Sequence, residues 1–335
     1  MRFIIYGAGA IGSLFGAYLS QASYETILIG REEHVKKINE SGLKVVKREG
    51  SFTTYPQAVT TPADIEYQTD DILFLTTKSQ DTQEAIAELA RYAPKGLPIF
   101  CFQNGVRNEE IAKQRFSNVY GGVVFFSGTY LGPGEIAHTR VDRVGLGLYS
   151  SGIDDTARIA HQALTLSGFK AFLHPSIMGV KWSKLVTNLR MAVNALTGFS
   201  GQEALANKES REFIADVLEE GIKVLLQAGI VFEDEPGQIP VTESPSRLRA
   251  MEDFTPDKSL PEEMKHRPSV WQDLSLKRGK TELDFITGEV VELGKKLGIP
   301  TPLNSLLLKL VKEMAEKRLP PGRYTIADLK RMLNS

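Results

Sequence analysis

Apolar positions in the first 175 residues come in short runs, and most runs are followed by a stretch with helical spacing. Residues 2–6, 25–29, 72–76, 98–102 and 119–126 are short, apolar or β-branched, and bounded by turn residues, which predicts strands. Between them, 11–20, 32–40 and 82–92 place apolar residues three and four apart, which predicts helices. Strand–helix alternation of this kind builds a doubly wound parallel sheet with helices on both faces. Residues 128–148 differ. They are glycine-rich, with Val144, Leu146 and Leu148 alternating, and are expected to be antiparallel strands extending that sheet.

From about residue 175 the period becomes helical. Residues 178–196, 210–228, 269–297 and 303–316 each read as one long amphipathic helix. The segment 232–268, rich in Pro, Glu and Asp, predicts loops and short helices, or a lid. The expected fold is therefore α/β: an N-terminal Rossmann-type doubly wound domain, 1–174, followed by an all-helical substrate domain, 175–335.

Composition narrows the function classes. Forty basic against 41 acidic residues give a net charge of −1, which offers no long-range attraction for nucleic acid or anionic membrane. No apolar run approaches the ~20 residues of a membrane span. Strand pattern begins at the third residue, ahead of any secretory signal, so a cytoplasmic protein is expected. Cys101 is the single cysteine and reads as a small buried hydrophobe. The five histidines have no ligand spacing, and no metal site is expected. An apolar helical half makes a homodimer the expected assembly.

Gly7-Ala8-Gly9-Ala10-Ile11-Gly12 is a G-x-G-x-x-G motif between a predicted strand and a predicted helix. Gly7 permits a tight turn, Gly9 lets backbone approach a pyrophosphate, and Gly12 lets helix pack on strand. The first N–H groups of the helix, from Ala10 and Ile11 onward, then face the phosphates. The second strand ends at Ile29-Gly30-Arg31, where an NAD-preferring fold places an acid on the ribose. Arg31 instead suits a 2′-phosphate, so NADP (NADPH) is the expected cofactor, although Glu32 and Glu33 lie next door. Thr76-Thr77-Lys78 and Gln103-Asn104-Gly105 close two further strands, where ligand crevices form. Lys78 is expected to meet phosphate or ribose, Asn104 the nicotinamide end, and Gly105 an unusual backbone angle.

In the helical half, Lys184 and Asn188 are four apart and share one helix face. A lysine beside an amide can protonate a developing alkoxide while the amide anchors substrate. Ser269-Val270-Trp271-Gln272-Asp273 reads as a capping box opening an amphipathic helix, with Ser269 as N-cap.

Taken in order, Gly7–Gly12, Lys78, Asn104-Gly105, Lys184-x-x-x-Asn188, Ser269-x-x-Gln272-Asp273, Thr281-Glu282-x-Asp284 with Gly288, and Gly298-Ile299-Pro300-Thr301-Pro302 resemble the ketopantoate reductase (2-dehydropantoate 2-reductase) family. The resemblance runs from residue 1 to about 316. It implies two domains with the active site between them, and hydride transfer from NADPH to the carbonyl carbon of a small 2-keto acid. It also implies that Lys184 is the general acid, with Glu282 near the reacting centre. By the same resemblance Asn188 and Ser269 bind substrate, and Asn104 bridges substrate and cofactor.

One position departs from the family pattern. A second asparagine commonly follows the first by four residues; here that position is Ala192, and the nearest asparagine is Asn194. Asn194 would sit about 120° around an unkinked helix from Asn188. Reduction of ketopantoate in pantothenate biosynthesis stands beside two alternatives: an NADPH-dependent reductase of another 2-keto acid, and a non-catalytic NADP(H)-sensing protein.

Overall fold

The computed structural model describes residues 1–138, 143–253, 255–257, 259, 265 and 267–334. The chain divides into two compact units, the first running Met1–Lys181 and the second beginning at Trp182.

The first unit contains β1 (Arg2–Tyr6), α1 (Ala10–Gln21), β2 (Glu25–Ile29), α2 (Glu32–Ser41), β3 (Leu43–Lys47), β4 (Gly50–Thr54), β5 (Gln57–Val59), β6 (Asp71–Leu75), α3 (Thr82–Leu89), β7 (Ile99–Cys101), α4 (Asn108–Lys113), β8 (Val119–Val124), β9 (Gly128–Gly132), β10 (Glu135–His138), β11 (Arg143–Leu148), α5 (Asp155–Leu166) and β12 (Lys170–Leu173). Its main sheet has the order β12-β11-β8-β7-β6-β1-β2-β5. Strands β5 to β8 in that order are parallel, β11 is antiparallel to β8, and β12 parallel to β11. Every residue of β1, β6 and β8 is buried, which explains why, apart from the ion-paired Arg2 and Asp71 at two strand starts, these strands carry no charged residue: helices cover both faces. Cys101 is fully buried among them.

The order reverses at β1, flanked by β2 and β6, the switch point where open α/β sheets bind ligands. Register makes that edge level. Tyr6 pairs with both Ile29 and Leu75, and Leu75 pairs with Cys101. The loops after β1, β2, β6 and β7 therefore leave the sheet side by side.

Two features differ from the sequence expectation. Of the strands expected in 128–148, only β11 extends the main sheet; β9 and β10 join β3 and β4 in a separate four-stranded sheet, order β4-β3-β10-β9. This small sheet closes over α1, so tightly that a Cβ on Gly128 would lie 2.8 Å from Leu14 Cδ1. The hairpin of β3 and β4 was not anticipated; Lys47 pairs with Gly50 across the tight turn of Arg48 and Glu49.

The change of period expected near 175 corresponds to the end of β12 and the start of α6 (Ile177–Asn188), the helix on which the two units divide. Then follow α7 (Arg190–Thr197), α8 (Gly201–Ala206), α9 (Lys208–Gln227), α10 (Ser244–Ala250), α11 (Ser269–Ser275), α12 (Thr287–Leu297), α13 (Pro302–Glu316) and α14 (Ile326–Leu333). Helix α9 is the spine, burying Phe213, Ile214, Val217, Leu218 and Leu225 along one face. From it Glu220 caps α13, accepting the backbone N–H groups of Leu303 (3.0 Å) and Asn304 (2.8 Å). The short α10, within the segment 232–268, is strapped to α9 by Arg249, whose guanidinium reaches Asp216 (2.7 Å) and Glu219 (2.6 Å).

Two helices expected to be continuous are broken. The first stops at Asn188 and restarts at Arg190, with Leu189 bonded back to Val186 O (3.0 Å) in a tightened turn. The second ends at Ser275; Lys277 (φ 52°) and Gly279 (φ 76°) turn the chain in left-handed conformations before a single 3-10 turn, Glu282–Phe285.

Candidate active site

The glycine loop separates into positions the protein itself requires and one it does not. Gly7 has φ 111°, and a Cβ there would lie 2.5 Å from Thr77 N; a Cβ on Gly12 would lie 2.3 Å from Gly7 O. Both are fixed by the close approach of α1 and the β6 loop to β1. Gly9 has an ordinary backbone (φ −84°, ψ −160°) and is exposed, and a Cβ there would meet only Gly7 O at 4.0 Å. Nothing in the chain needs glycine at that point, whereas a pyrophosphate lying against the backbone would. No side chain caps α1, so the N–H groups of its first turn, Ala10 and Ile11 included, are left for an anion. The residues fit a dinucleotide.

Arg31 lies beside this loop. Gly7 N and Ala8 N both donate to Ile29 O (3.1 and 2.9 Å), and a Cβ on Gly30 would lie 2.8 Å from that of Ala8. Arg31 is exposed at the start of α2 and, with Glu33, is close enough to influence the half-buried Tyr130 hydroxyl. Behind it the buried His34 ring accepts from Gly134 N at Nδ1 (2.9 Å) and faces Ser13 Oγ at Nε2 (3.0 Å). Burial pushes His34 down to about 4.

Lys78 and Asn104, both half-buried, follow the neighbouring strands β6 and β7. Gly105 takes the left-handed angle expected of it, φ 79°. The structure adds residues that the sequence did not mark. Ser79, Thr82, Gln103 and Asn108 form a buried hydrogen-bonded cluster around the Asn104 carbonyl. Glu109, fully buried, pairs with Lys181, whose ammonium also donates to Cys101 O (3.1 Å) and so pins the start of α6 to the end of β7. Burial pushes the Glu109 carboxyl up, against the opposing pull of Lys181. In the sequence the available signal for Asn108-Glu109 is their position just after Asn104-Gly105, at the start of α4.

In the second unit Lys184 is half-buried and Asn188 is buried, one turn apart on α6. Thr187 Oγ1 donates to Lys184 O (2.8 Å), fixing the backbone between them. Ala192 is fully buried on α7. Asn194 is committed elsewhere: it is buried, and its amide donates to Phe199 O (3.2 Å), holding the turn after α7.

The expected capping box at Ser269 is not formed. Pro268 is the N-cap, and Ser269 Oγ instead donates to Glu282 Oε1, with Met191 Sδ 3.8 Å away. Gln272 Nε2 donates to Arg267 O (2.9 Å), and Asp273 accepts from Arg278 (2.7 Å) to clasp the turn that returns the chain toward Ser269. Glu282 is 2% exposed. Ser269 and Glu282 are thus brought together, as are Lys184 and Asn188, within one unit. Among the described residues no group of three or more His, Cys, Asp or Glu side chains gathers to hold a metal, and no helix is long and apolar enough to cross a membrane.

Residues 3–151 match the family model described as ketopantoate reductase PanE/ApbA, and residues 176–315 match that of its C-terminal domain. The chain belongs to the ketopantoate reductase family. Its relatives include the 2-dehydropantoate 2-reductase of Pyrococcus abyssi, 30% identical over 93% of this chain and 97% of that one. The enzyme of the same name from Archaeoglobus fulgidus is 28% identical over the same shares. Among solved structures, the ketopantoate reductase from Ralstonia eutropha JMP134 superposes with TM-score 0.79 at 26% identity, covering 95% of this chain and 99% of that one. A D-mandelate dehydrogenase solved with NADH and anilino(oxo)acetate gives TM-score 0.81 at 26% identity over the same shares.

Proposed function

We propose that this protein catalyses the NADPH-dependent reduction of 2-dehydropantoate (ketopantoate) to pantoate, a pantothenate-forming step. The observation that carries this reading is the Ser269–Glu282 pair, in a family member that also keeps Lys184 and Asn188 one turn apart. Gly7, Gly9, Ala10, Ile11 and Gly12 hold the pyrophosphate, Arg31 the 2′-phosphate, and Lys78 and Asn104 the parts nearer the nicotinamide. When bound, the reduced nicotinamide supplies a hydride to the carbonyl carbon.

The proton is the protein's task. Lys184 donates a hydrogen bond to the keto oxygen and passes its proton there as negative charge develops. Asn188, buried on the same helix, offers its amide to the substrate and holds the carbonyl in line. Ser269 has one proton, and it is spent on Glu282. With that proton given to Glu282 in a hydrogen bond, the Ser269 oxygen is left as an acceptor for substrate. An acceptor suits a hydroxyl, which ketopantoate carries on C4, and repels a carboxylate. Glu282, buried and tied to Ser269, holds that hydroxyl in place.

A second reading is an NADH-dependent reductase of a different 2-keto acid. It is favoured by the NADH-bound D-mandelate dehydrogenase relative, by Glu32 and Glu33 beside Arg31, and by Ala192. Loss of reduced-cofactor absorbance with ketopantoate, phenylglyoxylate and pyruvate, each run with NADPH and with NADH, separates the two. Turnover of ketopantoate with NADPH well above every other pair is the expected result. Turnover confined to an aryl keto acid, or equal use of NADH, would replace the first reading with the second.

A further inference from the structure

We propose that Asn108, together with Ser79, is a positioning residue for the nicotinamide half of the cofactor site; the inference rests on the NADPH reading above. The loops after β1, β6 and β7 leave the sheet level with one another, and a chain of side-chain hydrogen bonds joins all three. Thr76 Oγ1 donates to Gly7 O (2.9 Å), linking the glycine loop to the β6 loop. Gln103 Nε2 lies 3.1 Å from Thr82 Oγ1 and 3.4 Å from Thr77 Oγ1, linking the β7 loop to the β6 loop. Thr82 Oγ1 donates to Asn108 Oδ1 (2.8 Å).

The chain converges on one backbone atom. Asn108 Nδ2 donates to Asn104 O (2.8 Å), and Ser79 Oγ donates to the same oxygen (2.6 Å). Both lone pairs of that carbonyl are thereby taken by side chains that are themselves buried, Ser79 at 1% and Asn108 at 0% exposure. Rotating the Asn104 peptide would leave several polar groups unpaired in a dry interior. Ser79 directly follows Lys78, so the same cluster holds the backbone of both half-buried side chains assigned to the cofactor. The surrounding core of this unit is aromatic and aliphatic, and apolar residues could have filled this volume. A polar cluster aimed at the Asn104 peptide fixes an orientation, which apolar packing does not.

A purely structural cluster and a positioning one predict different things. Ser79→Ala removes one donor, and Asn108→Ala removes the hub. Three readouts are made per folded molecule: affinity for adenosine 2′,5′-bisphosphate, which lacks the nicotinamide; fluorescence of bound NADPH; and steady-state turnover. A positioning role predicts unchanged affinity for the bisphosphate and an altered nicotinamide fluorescence. It also predicts kcat lowered about ten- to a hundred-fold, with KM for the keto acid little moved. Should Asn108→Ala fail to fold, Ser79→Ala is expected to show the same pattern more weakly. Variants that melt earlier but keep wild-type kcat and fluorescence would overturn the proposal, as would equal weakening of the bisphosphate and of NADPH. A wild-type enzyme that does not bind NADPH would remove the cofactor reading and this inference with it. An enzyme that binds NADPH but ignores ketopantoate would touch only the substrate assignment, since the two binding readouts need no keto acid.

Discussion

Ser269 and Glu282 are 13 residues apart in sequence, yet Ser269 Oγ donates directly to the Glu282 carboxylate. On one unbroken helix the two would stand about 20 Å apart along the axis. The left-handed turn at Lys277 and Gly279, clasped by Arg278 on Asp273, folds that distance away. The break in the helix is what brings the two side chains together.

If the pair acts as one group, its members are coupled. Ser269→Ala and Glu282→Gln should each lower kcat/KM for ketopantoate, and the double variant should cost less than the two single losses combined. The expected coupling is about 1 kcal/mol or more. A double-mutant cycle on kcat/KM measures it, and simple additivity would contradict the pairing.

The two glycines of the loop should part company on substitution. Gly12→Ala drives a methyl into Gly7 O and is expected to cost about 1–3 kcal/mol or more of stability. Gly9→Ala meets only Gly7 O, at an ordinary 4.0 Å, and should melt close to wild type, while NADPH affinity falls. Thermal melts beside an NADPH titration check both, and a Gly9→Ala protein with full cofactor affinity would remove the pyrophosphate from that spot.

How much of this was legible in the sequence depends on the range of the interaction. The parallel core was legible because β1, β6 and β8 are buried on both faces and, past Arg2 and Asp71 at two strand starts, leave short runs without charge. The glycine loop was legible because its spacing between a strand and a helix is local, with Gly7 and Gly12 answering to backbone and packing demands of the chain itself. The small sheet was not: β3 pairs with β10, some ninety residues on, and no local pattern announces such a partner. The Ser269 cap was misread for the same reason. A Ser followed three residues later by Gln does look like a capping box, but Glu282 competes for the hydroxyl and wins. Asn108 and Glu109 were passed over because their partners, Asn104 O and Lys181, lie on a backbone carbonyl and a distant helix.

His34 gives the fold a pH dependence. Its pKa is about 4 when buried and about 6.5 in the unfolded chain, so between those values the unfolded state binds more protons. Stability is full above pH 6.5, declines as pH falls, and levels off below pH 4 as far as this group is concerned. Going from pH 7 to pH 5, its share of the loss is about 2 kcal/mol. Urea unfolding at the two pH values should show a larger drop in wild type than in His34→Ala; equal drops would assign the pH dependence to other groups.

Arg31 is the test of cofactor choice. Arg31→Ala should weaken NADPH binding about ten- to a hundred-fold, the worth of a charge-assisted contact to phosphate, and leave NADH binding nearly unchanged. Titration of both dinucleotides into both proteins decides it. Equal effects would mean that Arg31 does not read the 2′-phosphate.

The most direct measurement mixes NADPH-loaded enzyme with ketopantoate in a single turnover, for wild type and for Lys184→Ala. Wild type is expected to oxidise NADPH rapidly, with pantoate as product. In the variant, NADPH stays bound and oxidation slows by about 10²-fold or more, as loss of a general acid requires. Full speed without Lys184, or a wild type that leaves ketopantoate untouched, would contradict it.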